Sequence, residues 1–234
     1  MLRYALLSMP FILCGSLFAQ PNPYGCHYFH QAPGPIMGTA QDRTQIAETI
    51  ARSDTFDILH YDINLDLTDY AGRTIEASTT VRFVPLLPEV SSIRFDLFEL
   101  IVDSVVGIDG PMNFSHDGVF LDVSFDAPAD VGVERELTVH YHGETHRDPE
   151  WGGFYFESNY MYNLGIGIST IPPNFGKVWY PCFDSFVERA SYTYHVKTAG
   201  TFRFRGQGEL LGEVQLEGIP SCARTTSNRR SLPM

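Results

Sequence analysis

Residues 151–196 run WGGFYFESNYMYNLGIGISTIPPNFGKVWYPCFDSFVERASYTYHV, and the reading of the fold starts there. Gly152-Gly153 opens the stretch among aromatics. Pro172-Pro173 fixes φ twice and removes two backbone donors, so the chain must leave any regular ladder there. Val178 to Asp184 is an apolar aromatic run, interrupted by Pro181 and closed by one carboxylate. Tyr192, Tyr194 and Val196 then alternate with Thr193 and His195, the period of a strand with one buried face. A carboxylate bracketed by so much aromatic surface is expected to be buried. A buried carboxylate needs backbone donors or a cation, and Arg189 is the candidate cation.

Working outward, the same period recurs. Tyr61, Ile63, Leu65 and Leu67 alternate with acids and Asn64. After a Gly72 turn, Ile75, Ala77, Thr79, Val81 and Phe83 alternate with polar partners, which predicts a hairpin. Ile93, Phe95 and Leu97 predict a third strand. Leu100 to Ile108 is apolar with poorer alternation, which predicts a segment buried on both sides. Val119 to Phe125 and Val133 to Tyr141 are two more alternating runs. Phe202 with Phe204, then Gly206 to Glu213, continue the pattern. So many short strands predict an all-β fold, a twisted antiparallel β-sandwich or saddle, over 54–217.

The 234 residues carry 16 Lys and Arg against 28 Asp and Glu, a net charge of −12. That balance argues against a nucleic-acid partner, since phosphate contacts need clustered cations. No apolar run reaches the roughly 18 residues of a membrane span. Residues 1–19 have the pattern of a signal peptide: Arg3, then an apolar Ala5–Phe18, then Ala19 before Gln20. The protein is therefore expected to be exported, to the periplasm, the outer surface or the medium. Cys14 fits a lipoprotein site poorly, because Leu13 before it is bulky.

Residues 20–53 form an irregular, Pro- and Gly-rich leader, with a short helix expected over Gln41–Arg52. His27 and His30 lie in it, and no second pair completes a tetrahedral metal set. The mature chain keeps Cys26, Cys182 and Cys222, an odd number whose pairing stays open. From 218 to 234 the apolar period stops and the composition turns basic. This predicts either an unstructured tail or the product of a reading-frame change. His140 and His142 share one strand face, with His146 beyond Gly143. They are either a metal site or the polar face of a strand running into a loop, and the second reading is the simpler.

Tyr180-Pro181-Cys182-Phe183-Asp184, followed by Arg189-Ala190-Ser191-Tyr192, resembles the end of the N-terminal domain of the aminopeptidase N family, the gluzincin zinc aminopeptidases. Gly152-Gly153-Phe154-Tyr155 and Leu137 to Gly143 are similar to two of that domain's strands. The resemblance spans roughly residues 54–217. It implies a domain that covers one side of a peptidase cleft, with zinc held elsewhere in full-length relatives. Thr170 falls where the family places a Gln or Glu in the substrate-amine pocket, so it is the candidate substrate-binding residue, with a hydroxyl in place of an amide or carboxylate. Pro172-Pro173 and Lys177 also depart from the family pattern.

The zinc-binding His-Glu-x-x-His helix and the Gly-x-Met-Glu-Asn strand occur nowhere in the sequence. The resemblance therefore implies no catalytic or metal-ligating residue here, no cofactor in this chain, and a catalytic domain expected C-terminally. It implies no hydrolysis by this chain alone. Loss of such a partner predicts exposed apolar surface over residues 152–180. The alternative is a self-standing exported β-sandwich that binds protein or glycan through Tyr155, Tyr160, Tyr162 and Trp179.

Overall fold

In a computed structural model, residues 40–158, 160–170, 172–199, 202–216 and 219–227 are described. The N-terminal unit, 1–37, lies outside them, with the expected signal segment at 1–19, His27, His30 and Cys26. The first described element is helix α1, Ala40–Thr55, three residues longer at its end than the sequence predicts.

Strand β1, Phe56–Leu67, is the centre of the fold. Its buried set is Phe56 and Ile58, then Tyr61, Ile63, Leu65 and Leu67. The phase slips by one residue because a bulge at Ile58/His60 inserts an extra position against its partner. That partner is β2, Thr74–Pro85, paired antiparallel as the hairpin pattern predicts. Asp69 holds the turn by accepting bonds from the Gly72 N–H and the Thr74 hydroxyl.

The chain continues through β3 (Val90–Asp96), β4 (Ile101–Gly107), β5 (Gly110–Pro111), β6 (Phe114–His116), β7 (Phe120–Ala129) and β8 (Arg135–Glu144). Then come β9 (Gly152–Glu157), β10 (Tyr160–Gly167), β11 (Ser191–Thr198), β12 (Glu209–Leu216) and β13 (Ile219–Ser227). Eight strands form one sheet in the order β12-β13-β11-β1-β2-β8-β4-β5. A second sheet has the order β3-β7-β6, and β9 pairs with β10 alone. All three bury side chains in one apolar cluster, which includes Ile63, Val81 and Val139, then Phe95 and Leu121, then Phe154 and Phe156. The all-β sandwich architecture is as the alternation predicts.

Three expectations are corrected. The sheet is not wholly antiparallel: β1 and β11 run parallel, from His60↔Ser191 to Leu67↔Thr198. Side-chain alternation is the same in both ladders, so sequence period cannot tell them apart. The segment Leu100–Ile108 is not buried on both sides, since Ile108 is 94% exposed and Ile101 is exposed as well. It lies near the sheet edge, with only β5 beyond it, and buries Leu100 and Val105 alone of its apolar side chains. The region after 218 is not wholly unstructured, because β13 pairs with β11 and β12. It supplies the backbone partners that β11 needs on its far side.

Candidate functional site

The Tyr180–Asp184 segment lies between the two larger sheets and is held by strands far away in sequence. Cys182 exchanges both backbone hydrogen bonds with Asp96 on β3, at 2.8 and 3.0 Å. The Phe183 N–H donates to the Tyr61 hydroxyl at 3.1 Å, and the Tyr141 hydroxyl donates to the Trp179 carbonyl at 3.0 Å. Thr79 completes that network against Tyr141, so the buried hydroxyls are satisfied. Cys182 is a buried free thiol, pushed well up by burial and by the nearby Asp184 and Asp96 carboxylates. It is an inert packing residue, not a nucleophile.

Asp184 closes the segment. Its carboxylate accepts bonds from the Gly176 and Lys177 N–H groups, at 3.2 and 3.3 Å. Its cation is Lys177, at 3.7 Å, and not Arg189 as sequence proximity suggested. The turn at 176–179 folds the chain back, so a residue before the aromatic run reaches the carboxylate that ends it. Burial pushes the Asp184 carboxyl above its usual range, and Lys177 only partly offsets this. Asp96 makes a second buried pair, with the Arg52 guanidinium at 2.7 Å, and also accepts the Asp184 N–H at 3.0 Å.

These bonds pin the end of the loop that carries Thr170. The beginning of the loop is pinned by Asp148, which sequence reasoning passed over as one acid of a polar loop. Asp148 is 5% exposed and accepts four bonds. They come from the Glu150 and Trp151 N–H groups at 2.9 Å each, the Ser169 N–H at 2.9 Å and the Ser169 hydroxyl at 2.6 Å. Burial pushes its carboxyl up, but the bonds from Ser169, Trp151 and Glu150 outweigh that and hold it down at about 2. The Ile168 N–H adds a bond to the Trp151 carbonyl at 3.0 Å. Thr170 itself is half-buried, its hydroxyl 3.5 Å from the Gly167 carbonyl.

The histidines do not converge. His142 Nδ1 lies 2.9 Å from Asp103, and His146 Nδ1 lies 2.7 Å from Glu99, while His140 is exposed. His146 also sits edge-on between the Phe98 and Phe175 rings. Among the described residues no group of three or more His, Cys, Asp or Glu could hold a metal ion. This donor set does not fit zinc.

No protein-family model matches the sequence, and no curated protein does. Solved structures do match. The chain is similar to an M1 zinc metallopeptidase from Deinococcus radiodurans, with TM-score 0.66 and 18% identity over 74% of this chain and 39% of that one. A mutant of that enzyme bound to a Tyr-Ser-Ala substrate gives TM-score 0.65 and 19% identity over the same shares. Yeast LTA4 hydrolase gives 0.54 and 13%, over 74% of this chain and 27% of that one. This is the fold of part of an M1 zinc metallopeptidase. The chain spans about 39% of the length of the Deinococcus enzyme it matches.

Within that M1-type fold, the exposed apolar side chains of the 151–180 stretch lie between residues 151 and 168. Trp151, Tyr160, Tyr162, Ile166 and Ile168 are exposed, with Tyr160 at 60% and Ile168 at 63%. Phe175, Val178 and Tyr180 are buried, so the expected surface ends well short of residue 180. Two of the four aromatics proposed as contacts are withdrawn. Tyr155 is buried, stacked at 4.8 Å on Tyr162 beneath the Arg147 guanidinium. Trp179 packs on Tyr180 and Tyr194 at the edge of the core.

Proposed function

We propose that this chain is the cleft-framing N-terminal part of an exported zinc-aminopeptidase-like protein and does not hydrolyse peptides on its own. The observation that carries the reading is the loop 168–179, tied at one end by Asp148 and at the other by Asp184. In a fold shared with M1 zinc metallopeptidases, a loop so anchored at both ends would form a rim that presents Thr170 to a peptide N-terminus. The enzyme solved with a Tyr-Ser-Ala substrate supports a peptide as what full-length relatives bind. The zinc and the water-activating glutamate would belong to a catalytic domain C-terminal to this fold, which the exposed apolar residues of β10 would face.

The test is direct. Reading the coding DNA beyond codon 217 in all frames should show a His-Glu-x-x-His helix. The purified chain should release no amino acid from an aminoacyl-anilide substrate, and chelator-sensitive release by it would overturn the proposal. Tyr160 and Tyr162, side by side and exposed on β10, favour a second reading as a self-standing exported module for protein or glycan. An authentic stop codon with no peptidase frame beyond it would select that reading.

A further inference from the structure

Helix α1 has little apolar surface with which to dock. Among its described side chains only Thr49 is buried, and Arg43, Thr44, Ala47, Glu48 and Ala51 are exposed. A helix so polar has no broad hydrophobic stripe, and its two isoleucines, Ile46 and Ile50, are only half-buried. Arg52 reaches from the helix to the edge of the core, beside the buried Thr49. The guanidinium lies over the Phe120 and Phe183 rings, 5.8 and 5.4 Å from their centroids. It donates to the Arg94 carbonyl at 3.1 Å and to Asp96 Oδ2 at 2.7 Å.

That same Oδ2 accepts the Asp184 N–H, and the Asp184 carboxylate holds the Gly176 and Lys177 N–H groups. One chain of polar contacts therefore runs from the leader helix to the turn that ends the 168–179 loop. We infer that Arg52 is a positioning residue for this turn, acting through Asp96 and Asp184. The inference deepens the cleft-rim reading, but the linkage itself is measured without any peptidase.

The physical reason lies in the burial of Asp96. Its side chain is 7% exposed, so loss of Arg52 leaves a buried carboxylate without its cation. Water must then reach Asp96 in place of the guanidinium, and its competition weakens the acceptor that fixes the Asp184 backbone. Asp184 in turn loses its aim on the Gly176 and Lys177 amides.

Hydrogen–deuterium exchange of the whole chain tests this. In Arg52→Gln the Gly176, Lys177 and Asp184 amides should exchange about tenfold faster, while the β1 and β2 amides of Ile63 and Val81 keep their rates. Arg52→Lys, which restores a cation, should recover part of the protection. Glu48→Gln, exposed on the same helix, should change none of the three. Faster exchange confined to α1 would overturn the inference. So would a uniform rise across the domain, or failure of both Arg52 variants to fold, because Arg52 would then support the whole structure and not this turn. An absent peptidase domain would leave the exchange pattern unaltered, so the two ideas fail separately.

Discussion

Asp148 and Asp184 are both buried carboxylates, and their surroundings push them in opposite directions. Burial raises each, but Asp148 gathers four donors and ends at about 2, whereas Asp184 stays above its usual range despite Lys177. For Asp148 the folded value lies below the unfolded value of about 3.9. Its stabilising contribution is therefore fully present above pH 4 and lost as the pH falls towards 2. We predict that Asp148→Asn lowers the thermal midpoint at pH 6 and that the gap from the unaltered chain narrows between pH 4 and 2. A gap that holds constant to pH 2 would place the loss in packing and not in the charge. The aromatic bracket around Asp184 signalled burial correctly, but its cation was misassigned. A turn at 176–179 brings Lys177 to it, and sequence distance carries no information about that fold-back. Asp148 gave no signal, since an acid beside Pro149 and Glu150 looks like any solvated loop.

The β9–β10 hairpin shows how little sequence is needed to mark an element and how much is needed to place it. Gly152 and Gly153 adopt φ of 131° and 89°, where a side chain is strained. A Cβ on Gly152 would meet the Ile166 carbonyl, and one on Gly153 would meet the His146 carbonyl. The sequence marks a Gly-Gly pair among aromatics but not the positive φ that it adopts. Nor was the approach of Ile166 from the facing strand and of His146 from the loop before β9 legible, because both depend on how the chain folds back. We predict that Gly153→Ala costs about 2–3 kcal/mol, from positive φ together with the backbone clash. Urea denaturation should register it as a lower midpoint at unchanged slope. The bulge in β1 teaches the same lesson: alternation from Tyr61 to Leu67 was plain, but Phe56 and Ile58 belong to the other phase and were passed over.

For the molecule as a unit, an unburied apolar strip is set against a strong negative charge. Trp151, Tyr160, Tyr162, Ile166 and Ile168 are exposed on β10 and its flanking loops, while the chain carries −12. Self-repulsion opposes association at low ionic strength, and salt screens it within about 8 Å at 0.15 M. We predict concentration-dependent sedimentation that strengthens as salt is added. A Tyr160→Ser, Ile168→Ser double variant should sediment as a monomer throughout, with stability changed by no more than about 0.5 kcal/mol, as for surface sites. Equal association in the variant would show that these side chains are not the adhesive surface.

The amino-acid order determined what depends on neighbours along the chain: strand identity from period two, turns from Gly, Pro and Asp, and the burial of the Tyr180–Asp184 run. Only the tertiary structure decided the parallel pairing of β1 with β11, the partner of Asp184, the four donors on Asp148 and the reach of Arg52 to Asp96. The physical reason is that alternation records which face of a strand is apolar. Hydrogen-bond direction and ion pairs arise from how the chain meets itself in space, whether the partners are seven positions apart, as Lys177 and Asp184 are, or forty-four, as Arg52 and Asp96 are.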